Sequence, residues 1–148
     1  MSDPLAATLN ELASNVIGLG IDTVRVERID KMIDQYGDRF IDRVFTENEK
    51  AYCRTYTESS ERFAGRWAAK EAILKSLGVG FSLGVCWKEI EVDAGTDGAP
   101  TVRLTGMAEQ ICLQRGASEV LASISHCSGY CVANAFAVRK SIETARDA

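Results

Sequence analysis

Three side chains carry the first chemical signal in this sequence: Asp22, Glu71 and Lys75. Asp22 closes the apolar run "VIGLGID", where a strand end can turn a carboxylate toward a site; a plain helix cap is an equally good reading. Glu71 is a lone interior acid in "RFAGRWAAKEAILKSLG", among Arg62, Arg66, Lys70 and Lys75. Glu71 and Lys75 stand four apart, which on its own is a surface ion pair worth about 0.3 kcal/mol. Trp67, however, precedes Glu71 by one turn on the same face, and a carboxylate beside a large aromatic is semi-buried and wants a cation. Arg66 and Lys70 repel mildly at the same spacing unless an anion lies between them. Two carboxylates from different elements could therefore hold one hard cation such as Mg²⁺, with the basic residues neutralising a polyphosphate.

The elements that would position these residues follow from pattern. Val16–Asp22 is a short β-branched run, a strand whose two glycines mark close approach of another backbone or a ligand. Apolar spacing predicts a helix over Val24–Tyr36 ended by Gly37, while "RFIDRVF" is ambiguous. Thr46 caps the next helix, with Glu49 as capping-box partner, to about Tyr56. Ser59 or Ser60 caps the long helix, which runs to Leu77 and stops at Gly78; its small residues permit close packing on a sheet. "CWKEIEV" and "TVRLTG" alternate as strands about the turn "TDGAP", with Trp87, Ile90 and Val92 as candidate core. Met107–Arg115 is a helix, and "VLASISH" and "YCVANAFAV" are strands joined by a tight turn near Ser128–Gly129. This order predicts an α+β fold, a mainly antiparallel sheet packed against a long helix.

The 148 residues suit one domain: residues 16–140, after a short extension at 1–15 holding a helix over Leu5–Ala13, and before a tail at 141–148. A net charge of −4 argues against nucleic-acid binding, so any anion must be held by local charge. No run reaches membrane-span length and the acidic N-terminus is unlike a signal peptide. Five irregularly spaced cysteines fit a reducing cytoplasm. Dinucleotide-type glycine patterns fail in position, and no phosphate-loop motif occurs. One histidine excludes the two-histidine zinc helix, and no nucleophile elbow supports a triad through His126. Zinc at Cys127, Cys131 and His126 is disfavoured because the other cysteines are scattered.

Three blocks, "GLGIDTVRVERI" with "RFIDRVFTENE", then "ERFAGRWAAKEAILKSLGVG", then "WKEIEV…DGAPTVRLTG…ASISHCSGY", resemble the short bacterial 4′-phosphopantetheinyl transferases, the holo-acyl-carrier-protein synthase type, from about Val16 to Val138. The resemblance implies Mg²⁺-dependent transfer of the phosphopantetheine arm of coenzyme A to a serine of an apo acyl carrier protein, releasing adenosine 3′,5′-bisphosphate. Asp22 and Glu71 match the family's metal ligands, Glu71 also as activator of the serine, and Lys75 matches the lysine that balances charge on the departing phosphate. Arg66, Lys70, Gly78, Gly80, Ser125 and His126 match positions near the coenzyme, His126 on its 3′-phosphate side.

For the carrier, Arg28, Arg39, Phe40 and Arg43 match docking positions, although Val24–Phe45 holds five acidic residues against five basic ones and composition shows no patch. The resemblance also implies a cytoplasmic homotrimer with active sites between subunits, Asp22 and Glu71 from one chain and His126 from the next. The extension, the short "SLGVGFSLGVC" segment and the cysteines at 127–131 depart from the usual pattern. Two other readings compete: a Mg²⁺-dependent hydrolase of coenzyme A or another pyrophosphate, and a coenzyme A-binding module without turnover.

Overall fold

The computed structural model describes residues 3–80 and 84–139, so the 141–148 tail and Phe81–Leu83 of the short segment lie outside the described residues. Three strands, Val16–Arg25 (β1), Glu119–Cys127 (β4) and Tyr130–Val138 (β5), form one antiparallel sheet in the order β1-β5-β4. Ile90–Ala94 (β2) and Pro100–Leu104 (β3) make a second, two-stranded antiparallel sheet. The hairpin between β4 and β5 turns at Ser128 and Gly129, both with positive φ (49° and 79°), the twist-matched geometry that two-residue hairpins favour.

Alternation sorts the larger sheet into two faces. The inner face carries Gly18, Gly20, Asp22 and Val24 of β1, Cys131, Ala133, Ala135 and Ala137 of β5, and Val120, Ile124 and His126 of β4. It is made almost wholly of small residues, and Ser59–Ser76 (α5) packs on it. A Cβ on Gly18 would lie 1.9 Å from the Ser76 carbonyl oxygen, and one on Gly20 would lie 1.9 Å from that of Ala72. The strand glycines thus answer to the α5 backbone. Gly65, Ala68, Ala69 and Ala72 of the helix are buried to match.

The other side of α5 is covered too. Val26–Tyr36 (α2), Asp38–Val44 (α3), Glu47–Arg54 (α4) and the second sheet lie there, with Phe40, Phe45, Phe63 and Trp67 in the core. Phe45 and Phe63 stack at 4.8 Å, and Phe40 and Trp67 at 5.7 Å. A helix covered over most of its circumference shows little amphipathic periodicity, which is why its small and charged residues read oddly in sequence. Gly106–Gln114 (α6) precedes β4, and Pro4–Asn15 (α1), capped by Asp3, runs directly into β1.

Several elements differ in detail from the sequence pattern. Strand β1 continues through Arg25 because Arg25 pairs with Tyr130, so α2 begins at Val26. The ambiguous "RFIDRVF" is helix α3. Ser60 does not cap α5; its hydroxyl donates to Asp30 at 2.7 Å, and α5 starts after Glu58 with no side-chain cap. Trp87–Glu89 is a 3₁₀ turn rather than strand, since the Glu89 carboxylate accepts from the Cys86 amide (3.1 Å) and Trp87 stacks on Trp67 at 4.5 Å. Ile90 and Val92 are buried as the alternation predicts.

The helix–sheet contact gives a direct test. Gly20→Ala is expected to destabilise the fold by about 3 kcal/mol through overpacking against α5. Urea unfolding checks this, and an unchanged midpoint would mean that the two backbones are not in contact.

Candidate active site on the two flanks of one helix

The four basic residues of α5 do not surround Glu71; the helix sends them in three directions. At 3.6 residues per turn, Arg66 and Glu71 project about 140° apart, on opposite flanks. On the first flank Asp22, two residues beyond Gly20 on the inner face of β1, meets the last turns of the helix. The Lys75 ammonium donates to the Asp22 carboxylate at 2.8 Å and to the Ile21 carbonyl at 2.9 Å. Lys75 therefore reaches across to the sheet, and the local ion pair with Glu71 is not what it forms.

Glu71 is half-buried beside this pair. Burial pushes its carboxyl above the usual carboxylate range, and the Asp22 charge pushes it further, with Lys75 and Arg28 pulling the other way. Two carboxylates that repel through a partly dry space, one already holding a cation, make a cation-seeking site. The donor set fits Mg²⁺, which takes one or two protein carboxylates and fills its shell with phosphate and water. Among the described residues no group of three or more metal-ligating side chains occurs, so a metal here would need oxygens from a ligand. Gly78, with φ of 65°, ends α5 one turn beyond Lys75, and exposed Gly80 follows it.

On the opposite flank, Arg62, Arg66 and His126 line a cavity of about 200 Å³ with Tyr52, Asp93 and Pro100. His126 fits because α5 has no side chain at Gly65: a Cβ there would stand 2.9 Å from His126 Nε2. Arg66 is buried, its guanidinium 3.8 Å from the centre of the Tyr52 ring. Arg66 Nε and His126 Nε2 are buried without a hydrogen-bond partner. Such groups are costly unless something satisfies them. Burial lowers the His126 pKa, the Arg62 and Arg66 charges lower it further, and Glu61 opposes them.

Two expected coenzyme contacts are corrected. Lys70 is fully buried and salt-bridged to Glu49 at 2.7 Å, with its remaining protons on the Val44 and Trp87 carbonyls, so no ligand reaches it. Ser125 lies one residue from His126 on a strand and so points to the opposite, outer face of the sheet, away from the Arg66 cavity.

A third feature was hidden in the mixed charges of α2 and α3. Asp42 is taken up by Lys50, Asp38 by Arg54, Glu27 by Lys31, and Asp30 accepts from Ser60. Among the described residues Arg28, Arg39 and Arg43 form no salt bridge, and Arg28 acts on Glu71 only through its field. Arg39 and Arg43 rim a groove of about 630 Å³ floored by Phe40, Trp67 and Trp87, and Arg28 lies over the Trp67 ring at 5.9 Å. Tyr52, which lines the His126 cavity, was missed from sequence; Arg62, named there only among the basic residues of the helix, lines the cavity one turn before Arg66.

Residues 18–135 match the family model of the 4′-phosphopantetheinyl transferase superfamily. The chain belongs to this superfamily. It is 43% identical over 126 residues, 85% of this chain and 95% of its relative, to the holo-[acyl-carrier-protein] synthase of Desulforudis audaxviator (strain MP104C). It is 42% identical to that of Protochlamydia amoebophila (strain UWE25), covering 84% of this chain and 98% of the relative. A superfamily structure from Bacillus anthracis str. Ames, a holo-(acyl-carrier-protein) synthase in complex with CoA (3′,5′-ADP), superposes with TM-score 0.69 at 31% identity, over 84% of this chain and 98% of that one. The α+β fold and the reading of the three sequence blocks are those of the superfamily.

The repulsion between the two carboxylates is measurable. Asp22→Asn removes a negative charge beside Glu71, so the Glu71 pKa is expected to fall toward the ordinary carboxylate range. Carbon-13 NMR titration of the glutamate carboxyls checks this; no movement would mean that the two do not share a site.

Proposed function

We propose that this protein transfers 4′-phosphopantetheine from coenzyme A to a serine of an acidic apo acyl carrier protein, with Mg²⁺ as cofactor. The observation that carries the reading is the pair of buried, unpartnered groups, Arg66 Nε and His126 Nε2, in one arginine-lined cavity. An anionic ligand satisfies both, and a 3′-phosphate is such a ligand. The Asp22–Glu71–Lys75 flank supplies the second need of coenzyme A, a cation-bearing place for its pyrophosphate. The named activity of the relatives and the CoA complex of the Bacillus anthracis protein support the same substrate pair.

Asp22 and Glu71 would hold Mg²⁺, which supplies Lewis-acid charge stabilisation at the phosphoryl oxygens when bound. The serine hydroxyl oxygen bonds to the phosphorus that bears pantetheine, the bond from that phosphorus to the bridging oxygen breaks, and adenosine 3′,5′-bisphosphate leaves. Glu71, held above the usual carboxylate range, is suited to take the serine proton. Lys75 offers its charge to the departing phosphate oxygen, acting where charge develops.

The active site would be completed by self-association into a homotrimer. Asp22 and His126 flank α5 on opposite sides, which suits an assembly in which a neighbour's His126 cavity faces this chain's carboxylates. The outer face of the sheet leaves Leu19 (61%), Ile21 (56%), Leu121 (54%) and Phe136 (40%) exposed, an apolar surface suited to covering by another copy. The groove rimmed by Arg39 and Arg43 suits the acidic carrier, with Phe40 and the tryptophans as apolar anchors and Arg28 between groove and carboxylates. No helix among the described residues is long and apolar enough to cross a membrane, and a cytoplasmic setting suits free thiols and a soluble coenzyme.

Intact mass spectrometry tests the reaction. With Mg²⁺ and coenzyme A, a carrier with its serine gains one phosphopantetheine while a Ser→Ala carrier gains nothing; Asp22→Ala and Glu71→Ala should abolish the gain. Loss of coenzyme A without a carrier product would instead make the protein a hydrolase, and binding alone would make it a module without turnover.

Charge linkage tests the His126 cavity. A bound phosphate beside His126 raises its lowered pKa, so coenzyme A binding takes up a proton and tightens as pH falls from above the His126 pKa of the complex toward that of the free protein. Calorimetry in buffers of different ionisation enthalpy should detect the uptake and find it missing in His126→Ala. Equal uptake in both would move the phosphate elsewhere.

A further inference from the structure

The Glu49–Lys70 pair is the one charged pair fully enclosed by protein among the described residues, and the proposed chemistry uses neither side chain. Every polar atom of the pair is committed. Glu49 Oε2 accepts from Lys70 Nζ (2.7 Å) and from the Thr46 amide (2.8 Å), and Oε1 accepts from the Val92 amide (2.9 Å). Lys70 spends its other two protons on the main-chain carbonyls of Val44 (2.8 Å) and Trp87 (3.0 Å).

Those two carbonyls belong to two walls of one groove. Val44 is the last residue of α3, directly after Arg43, and Trp87 opens the 3₁₀ turn on the far side. Helix α5, which carries Lys70, brings Trp67 to the floor between them. A well-packed apolar pair of similar volume would stabilise the core at least as well, because burying two charges costs desolvation. What an ammonium adds is direction: three bonds at fixed angles from one nitrogen.

We propose that Lys70, oriented by Glu49, is a positioning residue that sets the spacing of the carrier-docking groove by tying the Val44 and Trp87 backbones to the catalytic helix. It touches no substrate. It holds Arg43 and Trp87 at the separation an incoming carrier meets. The inference rests on the reading of this groove as the carrier surface.

The test uses the full chain and steady-state kinetics with coenzyme A and an apo carrier. Lys70→Met alone strands a buried carboxylate, so the main variant is Glu49→Gln/Lys70→Met, which removes both charges and keeps an acceptor for the Val92 amide. It is expected to fold, to raise KM for the carrier about tenfold, the loss of one good anchor, and to leave the Kd for coenzyme A and kcat at saturating carrier within about twofold. Glu49→Gln alone strands the buried ammonium and is expected to lower stability, but it keeps both carbonyl ties and should leave the carrier KM of the folded protein near the parent value. If the double variant does not fold, Lys70→Gln asks the same question, since its shorter amide still donates to Glu49 and cannot span both carbonyls.

A folded variant with unchanged carrier KM would overturn the inference. So would parallel losses in carrier KM, coenzyme Kd and kcat, the signature of a merely structural pair. Arg43→Glu separates this failure from failure of the underlying reading. If Arg43→Glu leaves carrier KM unchanged, the groove is not the docking surface. If it raises KM and the Lys70 variants do not, only the positioning role falls.

Discussion

The approach of the α5 backbone to strand β1 is the constraint on which the rest of this structure depends. Gly18 and Gly20 leave no room for a methyl group between strand and helix carbonyls. Because the two run so close, a short carboxylate such as Asp22, one inner-face position beyond Gly20, can meet a lysine from the last turns of α5. Where α5 crosses β4, on the far edge of the same sheet, Gly65 admits the His126 ring. Both halves of the proposed site are thus set by where side chains are missing. A larger residue at any of the three glycines would push a catalytic or binding group out of place before altering its chemistry.

One helix therefore serves three electrostatic environments that sequence proximity merges. The flank with Glu71 and Lys75 gathers carboxylates and stays open to a cation. The flank with Arg62 and Arg66 gathers donors, two of whose nitrogens, Arg66 Nε and His126 Nε2, have no partner. The third direction, through Lys70, is sealed, and burial there lowers the lysine's pKa against the pull of Glu49. Breaking such a buried pair by removing one partner typically costs about 3–5 kcal/mol. The proposed binding of an anionic coenzyme between two copies answers these opposite needs on opposite flanks.

Much of this could be read from the residues. The strand glycines announced a close backbone, Thr46 and Glu49 form the capping box their spacing implies, and the Ser128–Gly129 hairpin and α+β order are as the patterns indicate. Asp22 and Lys75, singled out together from the sequence, do meet, though 53 residues apart. What the residues could not convey was direction. Lys70 resembles Arg66 in type and sits one turn away on nearly the same face, yet Glu49 takes up one in the core while the other lies over Tyr52 beside a cavity. Ser125 adjoins His126, but strand parity puts them on opposite faces. The basic groove was invisible in composition because its cancelling acids are paired elsewhere, by Lys50 and Arg54 from α4.

The central claim is that the carboxylates of one copy work with the histidine cavity of another. Subunit complementation tests it most directly. Asp22→Ala and His126→Ala chains, each of low activity alone, are co-refolded in equal amounts and assayed for carrier modification. In a cyclic trimer with heterologous interfaces, about a quarter of the sites then pair an intact Asp22 with an intact His126 from a neighbour, and activity should return to about that fraction of the parent. Mixtures no more active than the separate variants would place both halves of the site in one chain and contradict the account.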